Sequence, residues 1–436
     1  MLHYLELKHT GPSEHMRLDF APRLNILTGD NGLGKTFLLD VAWWALTQSW
    51  PGEMAWPRPR ERGIAEINYS CSTSISSKEA TLVRAQFGTK LEKWLNPAGA
   101  SVDAGLLLYM RVDGSFSLWD PVRNMHEPAD ASNLPSHTMR PPAFHFRNEE
   151  IWNGLRSNGN VFCEGLLSDW RNWKISDGPE FQLLREVLLK LSPSEAEKLE
   201  PGDFQRLSIN DVRDIPTIVF PYGPVPVSLA SAGMKRIISL AYLITWIHTE
   251  HLNACNAFGK DSARQLTILI DEVEAHLHPQ WQRVILPSML SVVEGLANSL
   301  APTIATRAYP QIQIIASTHA PLVLASIEPE FDEARDRVFH FGVEQGVVRV
   351  EELPWAKQGD AVNWLVSETF GLRQARSREA ETVIEEAEAF MRNGAKDATT
   401  SPDVRRERDA IHQRLMQYLP DHDPFWPRWV VQTGQR

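Results

Sequence analysis

The segment at positions 29–36 constrains the fold of this chain more than any other feature of its sequence. It consists of Gly29, Asp30, Asn31, Gly32, Leu33, Gly34, Lys35 and Thr36, which fits the pattern GxxxxGK[ST]. An apolar strand is predicted directly before it, at 24–28, and an apolar helix directly after it, at 37–46. In such a unit the glycines let backbone N–H groups surround a phosphate at the helix N-terminus. The segment therefore predicts a phosphate-binding loop in which Lys35 reaches the β- and γ-phosphates and the Thr36 hydroxyl is a ligand of Mg²⁺.

Two carboxylates follow a second apolar run, at 266–270, which has the character of a strand covered on both faces. They are Asp271 and Glu272, and open α/β sheets place their ligands at such carboxyl ends. Taken alone, a strand that ends in a solvated acidic turn would be the better interpretation. Beside the phosphate loop, we predict that Asp271 holds Mg²⁺, directly or through water, and that Glu272 polarises the attacking water.

Two further candidates depend on this context. His319 follows the apolar run 312–316, where it could bond the γ-phosphate, although a lone histidine is more often structural. Ser231 precedes a helical pattern through 237–247 as a plausible N-cap, and with Gly233 it would leave free N–H groups for an anion. Because one chain offers no obvious second nucleotide, this second anion site is predicted to face the nucleotide of another copy. As an isolated string it predicts a helix cap and nothing more.

Composition excludes several classes of protein. The 436 residues include 44 basic and 55 acidic side chains, for a formal net charge of −11, and 43% are hydrophobic. The cysteines at 71, 163 and 255 form no paired framework, which suits a reducing cytosol. The longest mainly apolar stretch, 237–247, is shorter than the roughly 18–20 residues that span a bilayer. We expect a cytoplasmic protein without a membrane partner.

Two clusters have competing interpretations. The basic runs at 58–62 and 405–408 are more often solvated surfaces than nucleic-acid contacts, so direct binding of DNA stays an open alternative. In Glu274-Ala275-His276-Leu277-His278-Pro279, alternating histidines beside acids could bind zinc or manganese. We favour an interpretation without a metal for that segment.

The pattern of the chain predicts four segments. Residues 1–145 would hold the first part of an α/β core, with short strands around the loop helix; residues 146–215 a helical insertion; residues 216–355 the second part of the core, with a parallel sheet; and residues 356–436 a helical tail. Within the insertion, Ser192-Pro193-Ser194-Glu195 predicts the start of a further short helix. The tail is predicted as a helical hairpin followed by the aromatic stretch 423–429. That stretch would either anchor a partner or fold back on the chain's own helices.

The motifs GDNGLGKT, SAGMKR, ILIDEVEAHLHP and ASTHAP occur in that order, and the set resembles the ABC-type ATPases of the SMC, RecF and OLD group. In particular it is similar to the compact "AAA family ATPase" proteins of bacterial anti-phage systems. The resemblance covers residues 1–145 and 216–350 and implies an ABC-ATPase head that binds ATP and Mg²⁺. It also implies a homodimer in which the Lys35 loop of one copy and the Ser231–Gly233 signature of the other enclose each ATP.

The same resemblance implies roles for individual residues. Glu272 is similar to the catalytic glutamate, His319 to the switch histidine, and the segment 274–276 to the D-loop, while the histidines of the ExHLHP pattern have no metal role in this group. The chain departs from the usual LSSG-like signature at Ala230 and Ala232. No motif marks a Q-loop glutamine, and Gln86 is the candidate for it.

Two functions follow as hypotheses. The first is a dimeric ATP-binding and ATP-hydrolysing switch, the sensor of an anti-phage system that controls a partner effector such as a nuclease or toxin. The alternative is a RecF-like repair or recombination ATPase that acts directly on DNA. A transporter subunit is disfavoured by the forty residues between Ser231 and Asp271. The absence of heptads between Thr36 and Asp271 disfavours a chromosome-organising protein. An OLD-type nuclease would need a further metal-binding domain after the head.

Overall fold

The computed structural model describes residues 1–58, 63–71, 81–97, 104–124, 143–300, 311–367, 369–394 and 402–433. These residues form two compact units, Met1–Trp364 and Leu365–Arg436. Apart from Arg58, the basic run at 58–62 lies outside the described residues.

The strands of the described residues all belong to the first unit. They are β1 (Leu2–Lys8), β2 (His15–Asp19), β3 (Leu24–Gly29), β4 (Glu66–Cys71), β5 (Thr81–Gly88), β6 (Lys93–Leu95), β7 (Leu106–Met110), β8 (Phe116–Trp119), β9 (Phe144–Phe146), β10 (Leu155–Ser157), β11 (Asn160–Cys163), β12 (Glu200–Gln205), β13 (Ile215–Phe220), β14 (Gly223–Pro226), β15 (Gln265–Ile270), β16 (Gln311–Ser317), β17 (Asp336–Glu344) and β18 (Val347–Leu353).

The helices occur in both units. They are α1 (Lys35–Thr47), α2 (Asn148–Asn153), α3 (Leu166–Ser176), α4 (Pro179–Lys190), α5 (Ala232–Phe258), α6 (Pro279–Gln282), α7 (Ile285–Leu300), α8 (Pro321–Ile327), α9 (Ala361–Val366), α10 (Arg378–Gly394), α11 (Pro402–Tyr418) and α12 (Phe425–Thr433). Within the described part of the chain, no helix combines the length and the apolar character needed to cross a bilayer.

The larger sheet has the strand order β18-β17-β3-β16-β15-β7-β8-β9. Its central strands β17, β3, β16, β15 and β7 are parallel, and antiparallel strands flank them on both sides. Every residue of β3 and β15 is buried, which explains their nearly continuous apolar sequence. Because β16 lies between these two strands, the loops after β3, β16 and β15 meet at one edge of the sheet. This arrangement confirms the predicted α/β fold with a parallel core.

The smaller β lobe is an antiparallel sheet with the order β2-β1-β4-β5-β6. Residues of both sheets join residues of α1 in one hydrophobic cluster, which includes Leu5, Ile67 and Leu269. Ten of the thirteen residues of α1 are buried, as expected of a helix that is covered on several sides. This burial fixes the position of the loop that precedes α1.

Residues 146–215 are less helical than predicted. They contain α2, α3 and α4, but also the hairpin β10–β11 and the strand β12, which pairs with β13. The hairpin turns at Asn158 and Gly159, with φ of 50° and 79°, as in the two-residue turns that Asn-Gly favours. No helix begins after Ser192; instead its hydroxyl donates to Leu188 O and accepts from Leu199 N.

The second unit consists of α10, α11 and α12 around their own apolar cluster. The aromatic stretch predicted as a tail forms α12, since Pro427 lies in its first turn, where proline is tolerated. Trp429 is fully buried, and its Nε1 donates to Nδ1 of His412 on α11. The aromatic residues thus pack on the chain's own helices, the second of the two outcomes considered for them.

Candidate nucleotide-binding site

The loop at 29–36 connects β3 to α1 in a conformation in which three glycines have positive φ. Gly29 has φ of 122°, and a Cβ there would lie 2.1 Å from the carbonyl oxygen of Phe341 on β17. Gly34 has φ of 97°, and its Cβ would lie 2.5 Å from the side chain of Pro12. Gly32, with φ of 77°, faces open space. The loop is therefore packed on one side and open on the other, as a phosphate cradle needs to be.

Lys35 is buried at the mouth of this loop, with 5% of its surface exposed. Its Nζ donates to the carbonyl oxygens of Gly29 at 2.9 Å and Asp30 at 2.7 Å. Burial lowers the pKa of Lys35 to about 8, against the opposite effect of Glu272 and Asp271. An anion in the loop would compensate this buried charge, so the site favours a phosphate over a neutral ligand.

Asp271 follows β15, and its carboxylate joins the loop at 29–36 to the end of β16, the strand between β3 and β15. It is 1% exposed, and its Oδ2 accepts a hydrogen bond of 2.9 Å from the Thr36 hydroxyl. Its Oδ1 accepts one of 2.8 Å from Ser317 at the end of β16. The two predicted magnesium ligands are therefore adjacent.

A hydroxyl and a carboxylate are hard oxygen ligands that suit Mg²⁺. Among the described residues, no group of three or more His, Cys, Asp or Glu could hold a metal ion by itself. An ion at Thr36 and Asp271 would need ligands from the nucleotide and water, which is the usual mode for Mg²⁺ at phosphates. The residues present fit this ion.

Glu272 and His319 lie beside each other above the loop. His319 Nε2 is 3.9 Å from Glu272 Oε1. Burial and the Lys35 ammonium lower the pKa of His319 below its usual value, while Glu274 and Glu272 act in the opposite direction. Glu272 is more than a third exposed, so its carboxylate is open to water. The sequence placed both residues at neighbouring strand ends, and the structure brings them together.

The chain around the two residues is held by Glu274. Its carboxylate accepts hydrogen bonds from the Thr318 hydroxyl, at 2.8 Å, and from the His319 backbone N–H, at 2.5 Å. This role of Glu274, like that of Ser317, was not predicted from the sequence. Their position next to motif residues at the strand ends was a sign of such a role. The contacts themselves join residues some 45 positions apart, so no local pattern in the sequence indicates them.

Ser231 is the N-cap of α5, as predicted, and its Oγ accepts from the backbone N–H of Met234 at 3.3 Å. It is exposed, whereas Gly233 is buried. A Cβ on Gly233 would lie 2.4 Å from the carbonyl oxygen of His276. The start of α5 therefore rests on the loop after β15 and leaves Ser231 open to a ligand from outside.

Two other candidate residues from the sequence, His278 and Gln86, make hydrogen bonds within the fold. His278 caps α6, its Nδ1 accepting from the backbone N–H of Gln280 at 3.4 Å. Gln86 lies on β5 of the antiparallel sheet and donates to Glu66 at 3.1 Å.

The chain is similar in sequence to several known proteins. A family model described as "AAA domain, putative AbiEii toxin, Type IV TA system" matches residues 220–325, which include the start of α5, Asp271, Glu272 and His319. The retron Vc95 probable ATPase of Vibrio cholerae serotype O1 biovar El Tor is 27% identical over 170 residues, 38% of this chain and 28% of that protein. The Septu protein PtuA of Bacillus thuringiensis is 23% identical over 378 residues, 86% of this chain and 85% of that protein. These matches support the resemblance to ABC-type ATPases of anti-phage systems that the motifs indicate.

The chain is also similar to solved structures. An SMC head domain from Thermotoga maritima covers 81% of this chain and 99% of its own, at 14% identity and a TM-score of 0.38. An SMC head bound to the C-terminal winged-helix domain of ScpA covers 82% and 98%, at 14% identity and a TM-score of 0.42.

Proposed function

We propose that this chain binds ATP with Mg²⁺, hydrolyses the γ-phosphate bond and uses the cycle as a dimeric switch. The observation that carries the proposal is the meeting of Lys35, the Thr36–Asp271 pair, Glu272 and His319 at one edge of the parallel sheet. The match of the AAA family model to residues 220–325 supports it.

Each residue would have a separate task. Lys35 and the backbone N–H groups of the loop bind the β- and γ-phosphates. Thr36 and Asp271 would hold Mg²⁺, which neutralises phosphate charge when it is bound. Glu272 accepts a hydrogen bond from water and orients it, and its exposure supports that role. His319, held by Glu274 through its backbone, donates to the γ-phosphate.

A second copy of the chain would complete the site. Ser231 is an exposed N-cap, so the start of α5 offers a hydroxyl and free N–H groups to a ligand from outside. In the proposed dimer the Ser231–Gly233 segment of one copy covers the nucleotide bound at Lys35 of the other, and ATP binding therefore drives association.

Ser231→Arg tests this dimer. The bulky side chain would occupy the space of the partner's γ-phosphate, so we expect nucleotide binding by a single chain to persist and steady-state hydrolysis to be lost. Ser208→Arg adds the same side chain to an exposed loop and serves as the control, with normal hydrolysis. Normal hydrolysis by Ser231→Arg itself would refute the shared site.

We further propose that the switch controls an effector protein, a nuclease or a toxin, in anti-phage defence. The relatives named as a retron ATPase and a Septu protein support this setting. The buried aromatic residues of α12 do not supply the docking surface, since Phe425 and Trp429 pack inside the second unit.

Purification of the tagged chain from its native operon tests this step. We expect an effector encoded beside it to co-purify and phage plaque counts to fall when both genes are expressed. A chain that purifies alone and remodels or cleaves DNA unaided would support the RecF-like alternative instead.

A further inference from the structure

Arg236 is a buried arginine near the start of α5 that the proposed mechanism does not use. Only 6% of its surface is exposed. Its Nη2 donates to the main-chain carbonyl oxygens of Asp271, at 2.9 Å, and Glu272, at 3.0 Å, and its Nη1 donates to that of Val112, at 3.2 Å. Burial lowers its pKa below the usual arginine value, so its desolvation has a cost. The guanidinium thus joins the loop after β7 to the loop after β15.

The backbone at Glu272 needs such support. Glu272 has φ of 47°, in the left-handed region, which is unfavourable for a residue with a side chain. Such conformations persist where the surrounding contacts over-determine them. Here Arg236 holds the carbonyl oxygens of Asp271 and Glu272, and the Ser317 hydroxyl accepts from the Glu272 N–H at 2.7 Å. The peptide that carries the carboxylate is held from both sides.

The start of α5 is itself fixed against the same loop. Gly233, three residues before Arg236, leaves no room for a Cβ beside the carbonyl oxygen of His276, whose φ is 63°. The start of α5 therefore contacts the loop after β15 at two points, Gly233 and Arg236, so the position of the arginine is itself fixed.

We infer that Arg236 is a positioning residue for hydrolysis: it holds the Asp271–Glu272 main chain so that the Glu272 carboxylate faces the site of the attacking water. The inference rests on the proposed ATP hydrolysis. Arg236 itself touches neither nucleotide nor water in this role. A guanidinium is needed because its planar fork reaches carbonyls on two loops, whereas a lysine ammonium is a compact charge without that fork.

The test uses Arg236→Lys and Arg236→Gln in the full chain. We expect the turnover number to fall about 100-fold, as a displacement of about 1 Å in a catalytic group does. The dissociation constant for ATP should change less than about threefold, because the loop at 29–36 is untouched. In the double variant Arg236→Gln/Glu272→Gln, we expect no loss beyond that of Glu272→Gln alone, because both changes disable the same group.

A matched control separates this effect from a loss of stability. Arg23, at the opposite end of β3, is also largely buried and donates to Asp336 and to the Glu330 carbonyl oxygen. Arg23→Lys should lower the melting temperature and leave turnover unchanged. If Arg236→Gln does not fold, Arg236→Lys carries the same comparison, since it retains the buried charge.

Normal turnover in a folded Arg236→Lys or Arg236→Gln chain would overturn the inference. So would a loss in the double variant that multiplies the two single losses. If the unaltered chain does not hydrolyse ATP, or Glu272→Gln hydrolyses it normally, the proposed function fails instead.

Discussion

Glu272→Gln is expected to bind ATP with unchanged affinity while its hydrolysis falls by about two to four orders of magnitude. The amide has the same shape as the carboxylate but cannot accept the proton of the attacking water. The side chain is partly exposed and lies 3.9 Å from His319, so the change leaves the buried contacts of the loop and of Asp271 in place. Release of phosphate under saturating ATP measures turnover, and calorimetry measures affinity.

The control is Glu294→Gln, which removes a carboxylate from an exposed position on α7. It should hydrolyse ATP like the unaltered chain. Unchanged turnover in Glu272→Gln would show that another group polarises the water and would falsify the role assigned to Glu272.

Lys35→Ala is expected to lower ATP affinity by about 100-fold or more, since hydrogen bonds to charged groups contribute about 1.5–3 kcal/mol each. The backbone N–H groups of the loop do not replace an ammonium opposite the triphosphate. The nucleotide-free protein should lose little stability. Because burial lowers the pKa of Lys35 to about 8, the charged lysine destabilises the folded state at pH 7, and its removal relieves that cost.

Titration with a fluorescent ATP analogue measures the affinity, and thermal unfolding without nucleotide measures the stability. Lys260→Ala, at an exposed position after α5, should bind normally. Affinity in Lys35→Ala within a few-fold of normal would contradict the assignment of the loop at 29–36.

The geometry of the candidate site was largely predictable because its residues belong to short continuous motifs. The strand before the loop, predicted at 24–28, extends over Leu24–Gly29, and the strand before Asp271 extends over Gln265–Ile270. Both are completely buried, so their apolar runs carried a strong signal. The side chains that support the motifs were missed. Arg236 holds carbonyl oxygens about 35 residues away, and no periodicity in a sequence reports such a contact.

The insertion was less predictable because local signals competed. The segment predicted as a helical insertion does contain a regular helix, α4, at Pro179–Lys190. The Asn158-Gly159 turn was the sign of the β10–β11 hairpin, but its short strands have little apolar alternation. Ser192 has the sequence of a helix cap, yet its hydroxyl bonds backbone groups on either side of a turn.

Mixing two inactive variants tests the composite site between two copies most directly. A dimer of a Lys35→Ala chain with a Ser231→Arg chain has one site with both defects and one with Lys35 and Ser231 both intact. If the sites act independently, an equal mixture should hydrolyse ATP at about a quarter of the normal rate, since half of the random dimers contain one intact site of two. Each variant alone should be inactive. A mixture as inactive as its two components would contradict a site shared between Lys35 of one copy and Ser231 of the other.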